Sequence, residues 1–356
     1  MNFLKNSEQI SRFTTDFMSK IALAGLLPDE ITEKLNLGQK FRGLQIFKWI
    51  GSGTTEFSQM TNLSKDVRQK LDEQAVLRSS KVSKTLKDPD GTIKLQITLE
   101  DGGAVETVLL TDKEGRKTAC VSCQVGCGMK CAFCQTGQLG FSRNLTSGEI
   151  VEQFLFLEAE CGHLDNIVFM GMGEPMLNLP GIRKAIAVLT DERGRNLSAR
   201  RITLSTSGII NGIYDLADNG PNIRLAVSLT TADEALRSEI MPVNNGNPLP
   251  ELRKAIDYYA KKSGKRVTLE AALLKNKNTG KDSAERMIAF AKGMDVNINL
   301  IPWNPVETLP FEEPDGSEVR NFVSQLERAG LNVTLRTKRG RKIGGACGQL
   351  GKASEN

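Results

Sequence analysis

The chain has 356 residues, 39% of them hydrophobic and 25% charged, with seven cysteines, one histidine and a formal net charge of +5. That length fills one barrel-sized domain plus a smaller appendage without disulfide or metal staples, and the composition is that of a globular protein, not a disordered or collagen-like one. A lone histidine, His163, excludes a multi-histidine zinc site, no apolar run reaches the ~18 residues of a membrane span, and Met1 to Asp29 mixes charges where a signal peptide has an apolar core, so a cytoplasmic location is expected.

In chain order, residues 1–83 read as a small leading domain of short helices, among them Phe41 to Trp49 and Ser64 to Gln74, where Val67 and Leu71 follow Leu63 at helical spacing. From Lys84 to Leu110 the period falls to two, as in Lys94-Leu95-Gln96-Ile97-Thr98-Leu99, with a turn at Asp88-Pro89-Asp90-Gly91. A β-hairpin joining the two parts over residues 84–117 is therefore predicted. Beyond residue 118 apolar, β-branched strings alternate with amphipathic helices: Ile167 to Met172, Ile202 to Ser205, Leu225 to Leu229, Val267 to Leu274, Ile298 to Pro302 and Val333 to Arg336. Thr146 with Glu149 three later makes a capping box, Asp315 with Glu318 starts a helix carrying Val319, Phe322, Val323 and Leu326, and Gly330 closes it. About six such units imply an α/β fold in which a parallel sheet, covered by helices, closes partly or fully into a (β/α) barrel over residues 118–356. Chemistry then belongs at the C-terminal ends of its strands.

Five of the seven cysteines lie between Cys120 and Cys134. Cys127-Gly128-Met129-Lys130-Cys131-Ala132-Phe133-Cys134 places three thiols in eight residues, a soft donor set suited to an iron-sulfur cluster. A four-iron cube takes four cysteines, so three leave one iron open to a ligand. The alternative is a zinc knuckle completed by Cys120, Cys123 or His163, which the gap pattern disfavours because structural zinc pairs CxxC knuckles. Downstream, Met170-Gly171-Met172-Gly173-Glu174-Pro175 ends the first apolar string, its glycines admitting a close ligand and Glu174 able to accept from a ligand ammonium. Ser205, Ser228 and Asn304 end later strings in the same way. Singly each is an ordinary turn residue; together on one rim they read as a cofactor site. Neither a GxxxxGK[ST] loop nor a full GxGxxG is present. Five of the seven residues Arg336 to Lys342 are cationic, a solvated turn or a phosphate grip just before Cys347, and Cys123 and Cys161 are assigned to packing, His163 to a loop.

The cysteine spacing is similar to that of the radical S-adenosylmethionine (SAM) enzymes, with Phe133 at their common aromatic position. Adding Glu106, Cys120, Thr136 to Phe141, Gly171 to Pro175, Leu204 to Gly208, Leu300 to Pro305 and Ala346 to Leu350, the chain resembles the RlmN/Cfr family of RNA adenine methyltransferases nearly end to end. Pro175 and Pro302-Trp303 resemble its carbon-2 branch, not its carbon-8 branch. The resemblance implies a [4Fe-4S] cluster on Cys127, Cys131 and Cys134, and SAM held by Gly173, Glu174, Ser205, Ser228, Leu229, Thr230 and Asn304. It further implies two SAM per turnover: one methylates Cys347, and the second yields a radical that activates that methyl group for addition to carbon 2 of adenosine. Glu106 then removes the proton and Cys120 displaces Cys347 as a disulfide. The implied partners are 23S ribosomal RNA and transfer RNA, with a flavodoxin or ferredoxin system as electron donor, and the implied state is a monomer. Two departures bear on substrate choice: Thr230 stands where the family has histidine, and Arg341-Lys342-Ile343-Gly344-Gly345 stands where it has an acidic residue. A carbon-8 enzyme, a diverged paralogue on another RNA, and a non-catalytic iron-sulfur or zinc-bearing RNA-binding protein are the competing readings.

Overall fold

The computed structural model describes residues 20–351. The opening of the expected leading domain, including most of the stretch read against a signal peptide, and the tail after Gly351 lie outside the described residues.

Three helices make the leading unit: α1 (Pro28–Lys34), α2 (Lys40–Gly51) and α3 (Lys65–Gln74), fastened by a parallel pair of short strands, β1 (Ile21–Ala22) and β2 (Ala75–Val76). Local chemistry sets their starts. Pro28 occupies the first turn of α1 while Glu30 reaches back to the Leu27 amide at 2.7 Å, and the Ser64 hydroxyl caps α3 by accepting from the Val67 amide. Ile31, Ile46, Phe47, Val67 and Leu71 turn inward from these helices to form one buried cluster.

Strands β3 (Lys81–Lys87), β4 (Ile93–Thr98) and β5 (Ala104–Thr111) form an antiparallel meander whose first turn is the Asp88 to Gly91 segment. β6 (Lys117–Cys120) pairs antiparallel with β5 on one side and parallel with β9 (Asn166–Phe169) on the other, so the meander is the wing of a single ten-stranded sheet. Between β6 and β9 lie a small hairpin, β7 (Gln124–Cys127) and β8 (Gly140–Asn144), the one-turn α4 (Gln135–Gln138) and the long α5 (Ser147–Cys161). The sheet continues in parallel through β10 (Ile202–Thr206), β11 (Arg224–Ser228), β12 (Val267–Leu273), β13 (Val296–Pro302) and β14 (Asn332–Leu335), with β14 at one edge and β3 at the other. It is a partial barrel, open between those edges.

Helices α6 (Leu179–Thr190), α7 (Ile210–Asn219), α8 (Glu234–Ile240), α9 (Leu249–Ser263), α10 (Lys281–Ala291) and α11 (Gly316–Arg328) cover the strands. Ile167, Phe169, Leu204, Leu225, Val227, Leu269, Ile298 and Leu300 are buried, as strands sandwiched between lumen and helices require. Thr146 and Glu149 close the expected capping box on α5, and Asp315 accepts from the Ser317 and Glu318 amides at the start of α11. Seven strands run parallel where about six units were expected, because β6 (Lys-Thr-Ala-Cys) follows directly on the antiparallel wing and lacks the apolar β-branched string that marks the other six. No helix among the described residues is long and apolar enough to cross a membrane.

Candidate functional site

Of the three clustered cysteines, Cys127 ends β7 and Cys131 and Cys134 follow on a pinned loop. The Ala132 amide donates to the Ile240 carbonyl at 2.9 Å, the Trp303 indole to the Phe133 carbonyl at 2.8 Å, and Gln138 to the Cys131 and Cys134 carbonyls. Cys127, Cys131 and Cys134 line a cavity of about 180 Å³ together with Gly173, Glu174, Ser205, Ser228, Thr230, Asn304 and Cys347. Burial pushes each cysteine thiol up, Cys127 to about 11, and neighbouring thiols raise all three further. Coordination to a metal reverses that balance, since a ligating thiol loses its proton. The wall also presents the Asn304 Oδ1, buried and without a hydrogen-bond partner, while its Nδ2 donates to the Cys347 carbonyl at 3.1 Å. Three soft donors beside an unpaired buried acceptor fit an iron-sulfur cluster with a polar small-molecule ligand.

The strand-end residues picked from the sequence meet here with one exception. Leu229 is wholly buried behind the wall, its carbonyl accepting from Arg237 Nε at 3.2 Å. Gly173 has φ +103°, and a Cβ there would sit 2.9 Å from the Gln124 backbone nitrogen, so glycine is demanded by a close approach to β7. Glu174 lines the cavity with every lone pair engaged: it accepts from the Met176 amide (3.0 Å), Thr206 Oγ1 (2.7 Å), and the Ser207 amide and hydroxyl (both 2.7 Å). It thereby ties the end of β9 to the end of β10. The sequence reading missed Glu270, which enters the cavity from β12 and accepts from Asn299 at 3.0 Å and Ser205 at 3.4 Å.

A second cavity, of about 460 Å³, opens on the outer side and is lined by Cys120, Met170, Arg336 and Cys347, with Lys113, Arg116, Lys338 and Arg339 along its rim. Cys347 borders both cavities. Cys120 and Cys347 are both free thiols. Burial pushes Cys120 up to about 12, the neighbouring Cys347 adds to this, and Arg336 opposes it. The Arg336 guanidinium is itself held upward in pKa, first by Cys347. This cation beside both thiols was legible only as one member of a basic run.

Glu106 lines neither cavity. It lies buried in β5, its Oε1 2.8 Å from Lys94 Nζ and its Oε2 accepting from the Gly351 amide at 2.7 Å. The basic run is partly neutralised, since Lys338 and Arg341 both pair with Glu313. Cys123 is buried in the core, Cys161 half-buried at the end of α5, and His163 follows in a loop where Arg195 approaches its Nδ1 at 3.3 Å.

Family comparisons agree with this geometry. The radical SAM superfamily model matches residues 121–288, and that of the ribosomal RNA large subunit methyltransferase N-terminal domain matches residues 31–77. A probable dual-specificity RNA methyltransferase RlmN from Treponema denticola is 62% identical over 94% of this chain and 96% of its own. The chain belongs to the RlmN family. An RlmN of the same description from Treponema pallidum is 55% identical over 94% of this chain and 98% of that one. Among solved structures, a radical SAM methyltransferase from Sphaerobacter thermophilus superposes with a TM-score of 0.89 at 38% identity, over 93% of this chain and 99% of that one. Membership in the radical SAM superfamily brings with it a [4Fe-4S] cluster and SAM, and the cavity bearing Cys127, Cys131 and Cys134 has the donors for both.

Proposed function

We propose that this RlmN-family chain methylates carbon 2 of adenosine in 23S ribosomal RNA and transfer RNA, with Cys347 carrying the methyl carbon. The observation that carries the reading is the position of Cys347 on the border of two cavities, one walled by the three clustered cysteines and one by Cys120. A carrier must reach both a methyl source and an acceptor.

Carbon 2 of adenine is an electron-poor amidine carbon, so a polar attack on a sulfonium methyl is closed to it. The cluster on Cys127, Cys131 and Cys134, with SAM, supplies a radical able to take hydrogen from an unreactive methyl group. The chain's own residues do the rest. The Cys347 thiolate takes a methyl group by displacement, with Arg336 stabilising the negative sulfur. Once that carbon is joined to the base, Glu106 accepts the proton from carbon 2. The adduct gives up one electron with that proton, and Cys120 then attacks the Cys347 sulfur, forming an S–S bond as the carbon–sulfur bond breaks; its electron pair stays on the carbon, which takes a proton to become the methyl group. The methyl leaves on the RNA. Gly173, Glu174, Ser205, Ser228, Thr230 and Asn304 line the SAM pocket with Leu229 packed behind its wall, a flavodoxin or ferredoxin system supplies electrons and reduces the disulfide, and the leading helical unit grips RNA.

The test is anaerobic reconstitution with iron, sulfide, SAM, a reductant and RNA. Expected are 5′-deoxyadenosine, a methyl group on Cys347 by peptide mass spectrometry, and 2-methyladenosine in the digested RNA. An 8-methyl product assigns the carbon-8 chemistry instead, and a protein that binds RNA without producing 5′-deoxyadenosine is the non-catalytic alternative.

A further inference from the structure

The segment carrying Cys347 is held at both ends by a single buried ion pair. Lys94 Nζ lies 2.8 Å from Glu106 Oε1 and also donates to the Gly344 carbonyl at 3.2 Å, while Glu106 Oε2 accepts from the Gly351 amide at 2.7 Å. The two residues are 5% and 7% exposed. They share one face of the sheet wing: Glu106 pairs across the ladder with Gln96, and Lys94 lies two residues along from Gln96, the diagonal contact of an antiparallel pair. The same hairpin reaches further up the segment, with Asp90 accepting from the Gly340 amide at 2.8 Å and Asp88 from that of Lys342 at 3.2 Å. The middle of the segment rests on neutral bonds: from the Gln135 amide and Thr136 hydroxyl of α4 to the Gly348 and Leu350 carbonyls, from Asn304 to the Cys347 carbonyl, and from Gln349 to the Pro305 carbonyl. Charge-assisted bonds are the stronger kind, so the ion pair dominates the ends.

We propose that Lys94 is a positioning residue that latches the Cys347 segment: paired with Glu106, it holds residues 344–351 docked, with the Gly351 amide on Glu106 until the segment lifts. This rests on the reading of Cys347 as carrier and Glu106 as base. In the docked state each oxygen of the Glu106 carboxylate already takes one donor, Oε1 from Lys94 and Oε2 from the Gly351 amide. Movement of the segment removes the Gly351 donor and opens one oxygen toward the outer cavity, so proton removal follows delivery of the carbon and does not precede it. Lys94 stays on Glu106 through the step, holding the carboxylate in place.

Two variants of the holoenzyme test this, Lys94→Met and Lys94→Arg. Under anaerobic conditions, the rate of iodoacetamide capture at Cys347, read against Cys161 in the same digest, is expected to rise about tenfold in Lys94→Met, the loss of one charge-assisted hold. It should return near the parent rate in Lys94→Arg. With RNA present, Lys94→Met is expected to accumulate the covalent Cys347–RNA adduct, because proton removal slows. An unchanged capture rate in folded Lys94→Met overturns the latch, as does adduct decay at the parent rate. If Lys94→Met does not fold, Lys94→Met/Glu106→Gln, which removes both charges, is read for capture in its place. Should the parent never gain a methyl on Cys347, the carrier reading fails by itself while the capture comparison still decides the latch.

Discussion

Cys120 is a thiol whose chemistry is strongly altered by its surroundings, pushed up to about 12 by burial and then by Cys347, against the pull of Arg336. Only the thiolate attacks sulfur, and below the pKa its fraction grows tenfold per pH unit. Release of the RNA adduct is therefore expected to quicken about tenfold between about pH 7.5 and 8.5, measured by quenching a preformed adduct; a flat rate across that window assigns release to another group. Glu174 yields a stability prediction. A Glu174→Gln amide turns donors toward donors among the Thr206 hydroxyl and the Ser207 amide and hydroxyl, at a cost of about 1–3 kcal/mol read as a lower urea midpoint with unchanged slope. At this scale the sequence disclosed the residues whose chemistry is rare. Three thiols in eight residues and a lone Cys347 after a basic run have few meanings. Arg336, Glu270 and Lys94 are common residue types whose roles come from what surrounds them, so spacing alone leaves them among ordinary surface charges.

Among the elements, the strand ends are joined by a buried cation on α8. Arg237 is wholly buried and donates to the carbonyls of Ser207 (2.8 Å), Ser228 (3.4 Å) and Leu229 (3.2 Å) and to Asn244 Oδ1 (2.7 Å). One guanidinium thus fixes the mouths of β10 and β11, where Ser205, Ser228 and Thr230 enter the cavity. Arg237→Met leaves those acceptors unpaired and is expected to cost about 3 kcal/mol in urea unfolding, and Arg237→Lys most of that, because one ammonium lacks the reach of a planar fork. A loss below about 1 kcal/mol means that the strand ends hold themselves. The helices were legible because their periods run long enough to register, the barrel strands because each carries an apolar, β-branched string, and the Thr146 and Asp315 caps because capping is local. Arg237 was not, since it occupies an unremarkable helical slot and its partners arrive from three other segments. Nor was the sheet position of the meander: the hairpin's alternation reveals strands but carries no information on which edge they join.

For the whole molecule the decisive contacts span the chain. Lys94 and Gly344 are separated by 250 residues, and no periodicity reports such a closure. Electrostatics at this scale also differs from the count of +5. Of the basic run, Lys338 and Arg341 face Glu313, and Arg336 turns in toward the thiols, which leaves Arg339, near Asp90, and Lys342 as the members of the run outside these pairs, with Lys113 on the same cavity as Arg339. Alanine at Lys338 or Arg341 is therefore expected to weaken RNA binding less than alanine at Arg339. Glu313→Gln makes the opposite case. It frees two cations at the cavity rim, so RNA affinity should rise at low salt, and the slope of log K against log salt should steepen by about 0.7–0.9 for each phosphate gained. Filter binding across a salt series measures both. A fall in affinity with an unchanged slope would mean that Glu313 orders the basic segment, and that RNA reads its shape and not its free charge.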